Sequence, residues 1–450
     1  MLLSERTPAD EGASRWLVVA MLFLFMLINY ADRAILGLAA EPIMRDLALD
    51  ARSFGLVGSA FFLCFSVSAL AAGFLINRLP SRGVLFWFAV AWSAAQAPMA
   101  AGGGFAALLV SRMALGAGEG PAYPAALHCA YKLFPDAQRT LPTAIVTQGS
   151  AMGIVLAGPI LSWIILAFGW RAAFAALCAA GLAWAAAWLA IGGGLSERAV
   201  RDGRATTRDD AGREAAPADR PLAYRRLIFN PTVMGLWAAM FASAWTLSLL
   251  IVWFPAFLRS ALEAREAHVG LLSAIPWLGG ALVVLAVGWV SQRMLLRRGS
   301  SRQARGILPC GLGLCGAACL AAAGFAETAA AQFALVCFGL VLPNAIVAPA
   351  QAAMAEIAPD SQRAAVLSIG NAVAGLAGVV APYASGLAIA AAATPAQGFS
   401  DAFLLCAGAV AAGNALGLWL IHPAREITRL RETTRLRETT PGPHSGDAGA

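Results

Sequence analysis

Charged residues are scarce in this sequence. Only 13% of its 450 residues are Asp, Glu, Lys or Arg, where soluble globular proteins contain about 25%. Lysine is nearly missing, since Lys132 is the single lysine among 32 cationic residues. Hydrophobic residues make up 59% of the chain, so they must form long runs. This composition excludes an ordinary soluble enzyme, a disordered chain and a collagen.

Several other features are also lacking. The net charge of +7 is not gathered into a basic surface that would bind nucleic acid, because the arginines lie between apolar runs. The eight cysteines lie in apolar segments, with neither disulfide nor zinc spacing. No cleavable signal peptide is predicted, because the first apolar run begins at Trp16 and is too long. No G-x4-G-K-[ST] phosphate loop occurs, and no cofactor is predicted. Any energy that the protein uses must therefore come from an ion gradient or from the gradient of its own substrate, unless a partner ATPase is involved.

What the sequence does contain is twelve runs of about 20 apolar residues, each long enough to cross a bilayer as a helix. They predict an all-α membrane protein with spans at 16–40, 53–76, 83–101, 105–129, 141–165, 170–191, 232–257, 268–290, 306–323, 332–354, 365–390 and 402–421.

The spans divide into two sets of six. We predict an N-terminal segment at 1–15, a six-helix bundle at 16–195, a polar linker at 196–226, a second bundle at 227–422 and a tail at 423–450. The linker holds eight arginines and six acids, and the tail repeats TRLRET at 428–433 and 434–439. Of the cations, 25 lie on the side of both termini and the linker, and five lie on the other. This bias predicts cytoplasmic termini, in the cell (inner) membrane.

The two bundles resemble each other in three short motifs at nearly constant offsets. Gly73–Arg78 corresponds to Gly288–Arg293, Phe134–Arg139 to Ala358–Arg363, and Gly169–Phe174 to Gly398–Phe403. Repetition of this kind predicts a duplicated six-helix unit with a substrate cavity between the halves, near the middle of the membrane.

This organisation resembles the major facilitator superfamily, and Gly73–Arg78 is similar to its G-x-L-x-D-R loop motif, with Asn77 and Gln292 in place of the acid. Within that superfamily the sequence resembles the anion:cation symporters, which include sugar-acid and phthalate-type permeases and vesicular glutamate transporters. The stretches that carry this resemblance are Asn29–Ala34, Arg112–Pro124, Trp253–Pro255 and Asn371–Pro382. The resemblance implies a transporter rather than an enzyme, with small organic anions and protons as partners in the bilayer. We expect a monomer.

Four ionisable residues lie well inside the predicted spans, namely Asp32, Arg33, Arg112 and Glu119. Each charge costs about 2.5–3.5 kcal/mol at a helix centre, so such residues pair or line a cavity. Helical spacing places Arg112 and Glu119 on one face of the fourth span. A rise of 1.5 Å per residue places Asp32, Arg33 and Arg112 about 6–8 Å to the external side of the midplane and Glu119 on its other side. An ion pair between Asp32 and Arg112 is therefore expected.

The resemblance implies that the carboxylates of Asp32 and Glu119 carry protons and that Arg33 and Arg112 meet the substrate carboxylate. The residue chemistry agrees, because a buried carboxylate stays charged only beside a cation. The alternative is that these four groups form structural ion pairs. Tyr30, Gln148 and Asn371 are further candidate substrate contacts, although polar side chains also join neighbouring helices.

The cavity has fewer hydroxyl-reading groups than many sugar-acid relatives. Phe65, Ala69 and Ser248 stand where those relatives carry Tyr, Gln and Tyr, so we expect a carboxylate on an aromatic or short aliphatic body. Two other functions stay open. One is a proton antiporter that exports amphipathic compounds, for which Gly149, Gly153, Gly158 and Pro159 leave room. The other is a membrane sensor or enzyme without transport.

Overall fold

The computed structural model describes residues 8–75, 80–131, 133–134, 140–192, 224–297, 300–358 and 362–426. Throughout this part of the chain the regular structure is helical. The first half consists of α1 (Pro8–Leu38), α2 (Ala40–Asp46), α3 (Ala51–Leu75), α4 (Ser81–Ala100), α5 (Phe105–Glu119), α6 (Ala122–Tyr131), α7 (Thr140–Phe168) and α8 (Trp170–Gly192).

The second half begins with a short helix that includes the last residues of the predicted linker. It consists of α9 (Tyr224–Ile228), α10 (Pro231–Val252), α11 (Phe254–Ser260), α12 (Glu266–Leu296), α13 (Leu308–Ala323), α14 (Ala329–Val341), α15 (Val347–Ile357), α16 (Arg363–Ala391) and α17 (Pro395–Leu420). A π-helical turn at Gln303–Ile307 precedes α13, and a 3-10 turn at Leu342–Ile346 joins α14 to α15.

Eleven stretches of the described residues are long and apolar enough to span a membrane. The predicted fourth span accounts for the difference, because it is divided into α5 and α6 rather than continuous. The division falls at Gly120 and Pro121, where proline lacks the N–H that an unbroken helix needs. Glu119 is consequently the last residue of α5.

The seventh and tenth predicted spans are interrupted for a similar reason. The chain turns at Trp253, and the separate helix α11 begins at Phe254 with Pro255 in its first turn. Pro343 lies in the 3-10 turn between α14 and α15. Pro255 and Pro343 each lie in the first turn of the segment that follows the break, where the missing N–H has no cost. Proline does not always end a helix in this protein, since Pro98, Pro159, Pro276 and Pro382 lie inside continuous helices. These breaks shorten the regular helices and leave the order of the crossings unchanged.

Each half is a compact bundle. In the first half α1 packs on α7, α3 on α5, and α4 on α8, and in the second half α17 packs on both α10 and α13. The helices approach closely at glycines. A Cβ on Gly149 would lie 2.4 Å from the Phe23 carbonyl oxygen, and one on Gly153 would lie 2.4 Å from that of Leu27. Helix packing between α7 and α1 therefore accounts for these two glycines.

The halves meet through α3 against α16 and α7 against α12. A Cβ on Gly55 would lie 2.5 Å from the Pro382 carbonyl oxygen, and one on Gly270 would lie 2.1 Å from that of Gly158. These contacts lie where α1 ends and α3 begins, and we call this end of the bundle the closed end. Farther along α12, Gly280 and Gly288 face open space.

Polar contacts reinforce the closed end. The buried Arg259 of α11 donates a hydrogen bond from Nη2 to the carbonyl oxygen of Leu38 at the end of α1, at 2.5 Å. Arg171 pairs with Asp46 at an Nη1–Oδ2 distance of 2.5 Å. The hydrogen bond from Arg171 lowers the pKa of the exposed Asp46 carboxyl from its ordinary value.

Several predicted features lie outside the described residues. They are Lys132, Asn77 and Arg78 of the loop motif, residues 135–139 and 359–361, most of the linker and the repeated TRLRET segments. The beginning of the tail is described and packs against the bundle. Asn230 donates a hydrogen bond from Nδ2 to Oε2 of the buried Glu426 at 2.7 Å.

Candidate functional site

The four charged residues found in the sequence lie together between α1 and α5. Asp32 and Glu119 are fully buried, Arg112 is 1% exposed, and the Arg33 side chain is 9% exposed. Arg33 and Arg112 line one small cavity, and Ile251 of the second half also lines it. Both guanidinium groups therefore reach a space between the two halves.

Arg33 pairs with Glu119. Its Nε lies 2.9 Å from Oε2 of Glu119, and its Nη2 donates to Oδ1 of Asn29 at 2.8 Å. The guanidinium carbon lies 4.2 Å from the centroid of the Tyr30 ring and 4.6 Å from that of Phe65. The sequence-based depth estimate placed Glu119 across the midplane from Arg33 and did not predict this pair.

Arg112 and Asp32 are joined indirectly. Arg112 donates from Nη1 to the backbone carbonyl oxygen of Asp32 at 3.3 Å and from Nη2 to Oε1 of Gln96. Gln96 in turn donates from Nε2 to Oδ1 of Asp32 at 2.8 Å. Among the described residues the two side chains form no ion pair of their own, so the expected direct pair is replaced by an amide bridge.

Gln96 is a site residue that the sequence analysis missed. It is fully buried on α4, the helix that packs beside both α5 and α8. The available signal was a long amide side chain within the otherwise apolar third span, where a polar group needs a partner in another helix.

The remaining candidates occupy two different places. Tyr30 lies against Arg33, as described above, and is part of the charged cluster. Gln148 is exposed on α7, and Asn371 on α16 accepts a hydrogen bond through Oδ1 from Gln351 at 2.8 Å. Over the described ranges, neither Gln148 nor Asn371 contacts the four charged groups, so their role in binding stays a prediction.

The prediction of an aromatic or short aliphatic substrate rests partly on Phe65 and Ser248, and the structure describes both. The Phe65 ring stacks on Phe61 at a centroid distance of 5.9 Å, and it covers Arg33. Ser248 is buried, and its hydroxyl donates to the Ala244 carbonyl oxygen at 2.8 Å. The described residues contain no group of three His, Cys, Asp or Glu side chains that could hold a metal ion.

Comparison with solved structures identifies the fold. The chain superposes on a bacterial homologue of the human lysosomal transporter Spinster with a TM-score of 0.70 and 17% identity, covering 96% of this chain and 99% of that one. It superposes on a D-xylose–proton symporter with a TM-score of 0.70 and 15% identity, covering 91% and 98%. At these identities the likeness is one of fold.

Curated relatives are similar over part of their length. A hexuronate transporter of Bacillus subtilis is 29% identical over 61% of this chain and 64% of its own. A D-galactonate transporter of Escherichia coli is 28% identical over 65% and 70%. A probable sulfoacetate transporter of Cupriavidus necator is 27% identical over 65% and 68%.

The family model of the Major Facilitator Superfamily matches residues 22–343 and 236–443 of the chain, so it covers nearly the whole sequence. The apolar helices, the two packed halves and the superposition on transporter structures agree with that match. This multi-pass membrane protein belongs to the Major Facilitator Superfamily and is a transporter rather than an enzyme.

Proposed function

We propose that the protein is a secondary active transporter that imports a small organic carboxylate together with protons. The observation that carries this proposal is the pair of buried arginines, Arg33 and Arg112, lining one cavity between the halves with two buried carboxylates beside them. Guanidinium groups bind carboxylates through paired hydrogen bonds. The relatives that transport hexuronate, galactonate and sulfoacetate support an anionic substrate.

Substrate and proton binding are coupled because the substrate carboxylate competes with the buried carboxylates for the arginines. Glu119 now holds Nε of Arg33, so a substrate carboxylate that binds Arg33 takes the cation away from Glu119. A buried carboxylate without a cation is costly and binds a proton instead. Substrate and proton would then enter the site together, and Asp32 would act in the same way beside Arg112.

The direction of transport rests on the charge bias of the loops. With cytoplasmic termini, the closed end faces the outside. This arrangement would be the substrate-releasing state of an importer in the inner membrane. The opposite state requires the contacts of Arg259 and Gly270 to separate while the other end closes.

We further propose that the substrate body is aromatic or short and aliphatic rather than a polyol. Phe65 covers Arg33 with a ring that offers no hydrogen bond. The Ser248 hydroxyl is already bound to its own helix. A sugar acid would therefore find no hydroxyl partner at these two positions, at a cost of about 1–3 kcal/mol for each unsatisfied group.

Uptake into proteoliposomes tests the proposal. We would supply phthalate or D-galactonate, each radiolabelled, under an inward proton gradient, with protein-free liposomes as the control for passive entry. Proton-dependent accumulation of phthalate exceeding that of D-galactonate is expected, together with a rise in external pH on substrate addition. A fall in external pH would indicate the antiporter instead. Preference for D-galactonate would contradict the proposed substrate body.

A further inference from the structure

Gln96 hydrogen-bonds to both partners of the expected ion pair. Its orientation is fixed by chemistry. A guanidinium can only donate hydrogen bonds, so the amide oxygen faces Arg112, and the amide nitrogen then faces the Asp32 carboxylate, which accepts. Ionised Asp32 and charged Arg112 therefore select the same orientation of one side chain.

Asp32 depends on this amide. Its Oδ1 is held by Gln96 at 2.8 Å, whereas its Oδ2 is buried and has no hydrogen-bond partner among the described residues. The charged or titratable groups around Asp32 are Arg33 on its own helix, Arg112 and Glu119 on α5 and the thiol of Cys178 on α8. Oδ2 is thus the oxygen that can bind a proton without first losing a hydrogen bond.

Gln96 is not the sole polar contact between α4 and α5 among the described residues. Ser111 of α5 already donates a hydrogen bond to the Ala95 carbonyl oxygen of α4 at 2.5 Å, and the Trp92 side chain packs fully buried on the same helix. A burial site filled only for packing would favour an apolar side chain, because a buried amide must be fully hydrogen-bonded to avoid a penalty. The two bonds that Gln96 makes both end on the charged pair.

We propose that Gln96 is a positioning residue that transmits the charge state of Asp32 to Arg112, and this inference rests on the proposed proton-coupled function. While Asp32 is ionised, the two charge-assisted bonds of Gln96 reinforce each other and hold the Arg112 guanidinium. When Oδ2 binds a proton, Oδ1 becomes a weaker acceptor and the hold on Arg112 weakens. Arg112 is then free to turn its Nη2 toward a substrate carboxylate.

The test compares Gln96→Met, which keeps the length of the side chain and removes both bonds, with Ser93→Ala as the matched control on the same helix. Ser93 is buried, and its hydroxyl has no hydrogen-bond partner in the described structure. Proteoliposomes would be assayed for proton-driven accumulation of labelled phthalate and D-galactonate, and for exchange of each compound across the membrane without a gradient.

In Gln96→Met we expect accumulation to fall about tenfold more than exchange, the effect of losing a hydrogen bond to a charged group. Ser93→Ala should leave the ratio of accumulation to exchange unchanged. A Gln96→Met protein in which accumulation and exchange fall equally, or in which neither falls, would overturn the inference and leave the proposed function standing.

A second measurement needs no transported compound. In detergent, the shifts of the unfolding temperature caused by Asp32→Asn and by Arg112→Gln should be non-additive in the wild-type background. The non-additivity should be smaller in the Gln96→Met background, where the Coulombic attraction and the bond from Arg112 to the Asp32 backbone remain. Coupling of undiminished size without Gln96 would overturn the inference. If wild-type vesicles move neither compound, the proposed function fails and this cycle alone decides the role of Gln96.

Discussion

Replacing Glu119 by glutamine tests the central ion pair of the site. The substitution keeps the size of the side chain and an oxygen that can accept from Nε of Arg33, but it removes the negative charge 2.9 Å away. Arg33 would keep its hydrogen bond to Asn29 and its contacts with the rings of Tyr30 and Phe65. The change therefore isolates the charge of Glu119 from its shape.

The size of the effect follows from the burial of the pair. Glu119 is fully buried and the Arg33 side chain is 9% exposed, so water cannot replace the lost carboxylate. Removing one partner of a buried pair costs about 3–5 kcal/mol. The remaining contacts of Arg33 place Glu119→Gln at the lower end, about 3 kcal/mol of unfolding free energy, which is also about the cost of one charge in a membrane span.

Thermal unfolding in detergent measures the predicted loss of stability, and uptake by proteoliposomes measures the predicted loss of transport. We expect Glu119→Gln to lower the unfolding temperature by several degrees and to abolish proton-driven accumulation. The double variant Arg33→Gln with Glu119→Gln should recover much of the stability, because it removes both charges, and should remain inactive. Glu327→Gln, at an exposed acid in the α13–α14 turn, is the matched control. A Glu119→Gln protein as stable as wild type, or one with unchanged proton-driven accumulation, would refute the reasoning.

The closed end offers three further predictions. Arg259→Met removes a hydrogen bond to the end of α1 and should raise the labelling rate of Ile251→Cys by an impermeant maleimide about tenfold. Gly270→Val should act in the same direction, because its Cβ would collide with Gly158 at a cost of about 1–3 kcal/mol, whereas Gly280→Ala should have no effect. Asp46→Ala should lower the unfolding temperature at neutral pH, since the Asp46 pKa is lowered in the folded state. The difference in unfolding temperature between wild type and Asp46→Ala is fully present at pH values above the ordinary pKa of 3.8. It vanishes as pH falls through the lowered pKa of the folded state.

The sequence predicted the number and order of the crossings because hydropathy responds to the length of apolar runs. It did not predict where helices stop inside the membrane. Pro121, Pro255 and Pro343 lie within runs of high hydropathy, and averaging over a window conceals the missing N–H of each proline. Since the break after α5 falls directly after Glu119, this omission also affected the predicted site.

The charged residues of the site were predictable because each is a costly exception in an apolar span. Their pairing was not, since depth was estimated for straight helices of uniform rise. The contact between Arg33 and Glu119 depends on how the two helices pack and on the direction in which each side chain extends, and no spacing rule contains that information. Gln96 was not predicted for a different reason. It is uncharged, and its role depends on the side chains of the two neighbouring helices that it contacts.

The charges of the site make one further prediction, on the electrical character of transport. Asp32 and Glu119 balance Arg33 and Arg112, so the empty buried cluster is neutral. An entering monoanion would give this buried region a net negative charge, which binding of one proton removes, and a dianion would require both carboxylates to be protonated. Transport of either should therefore be electroneutral. Uptake of D-galactonate or phthalate should respond to a proton gradient and remain unchanged when valinomycin and potassium impose an inside-negative potential. Faster uptake under that potential would show that the substrate enters with more protons than are needed to neutralise it. The loaded site would then carry a net positive charge, contrary to the prediction.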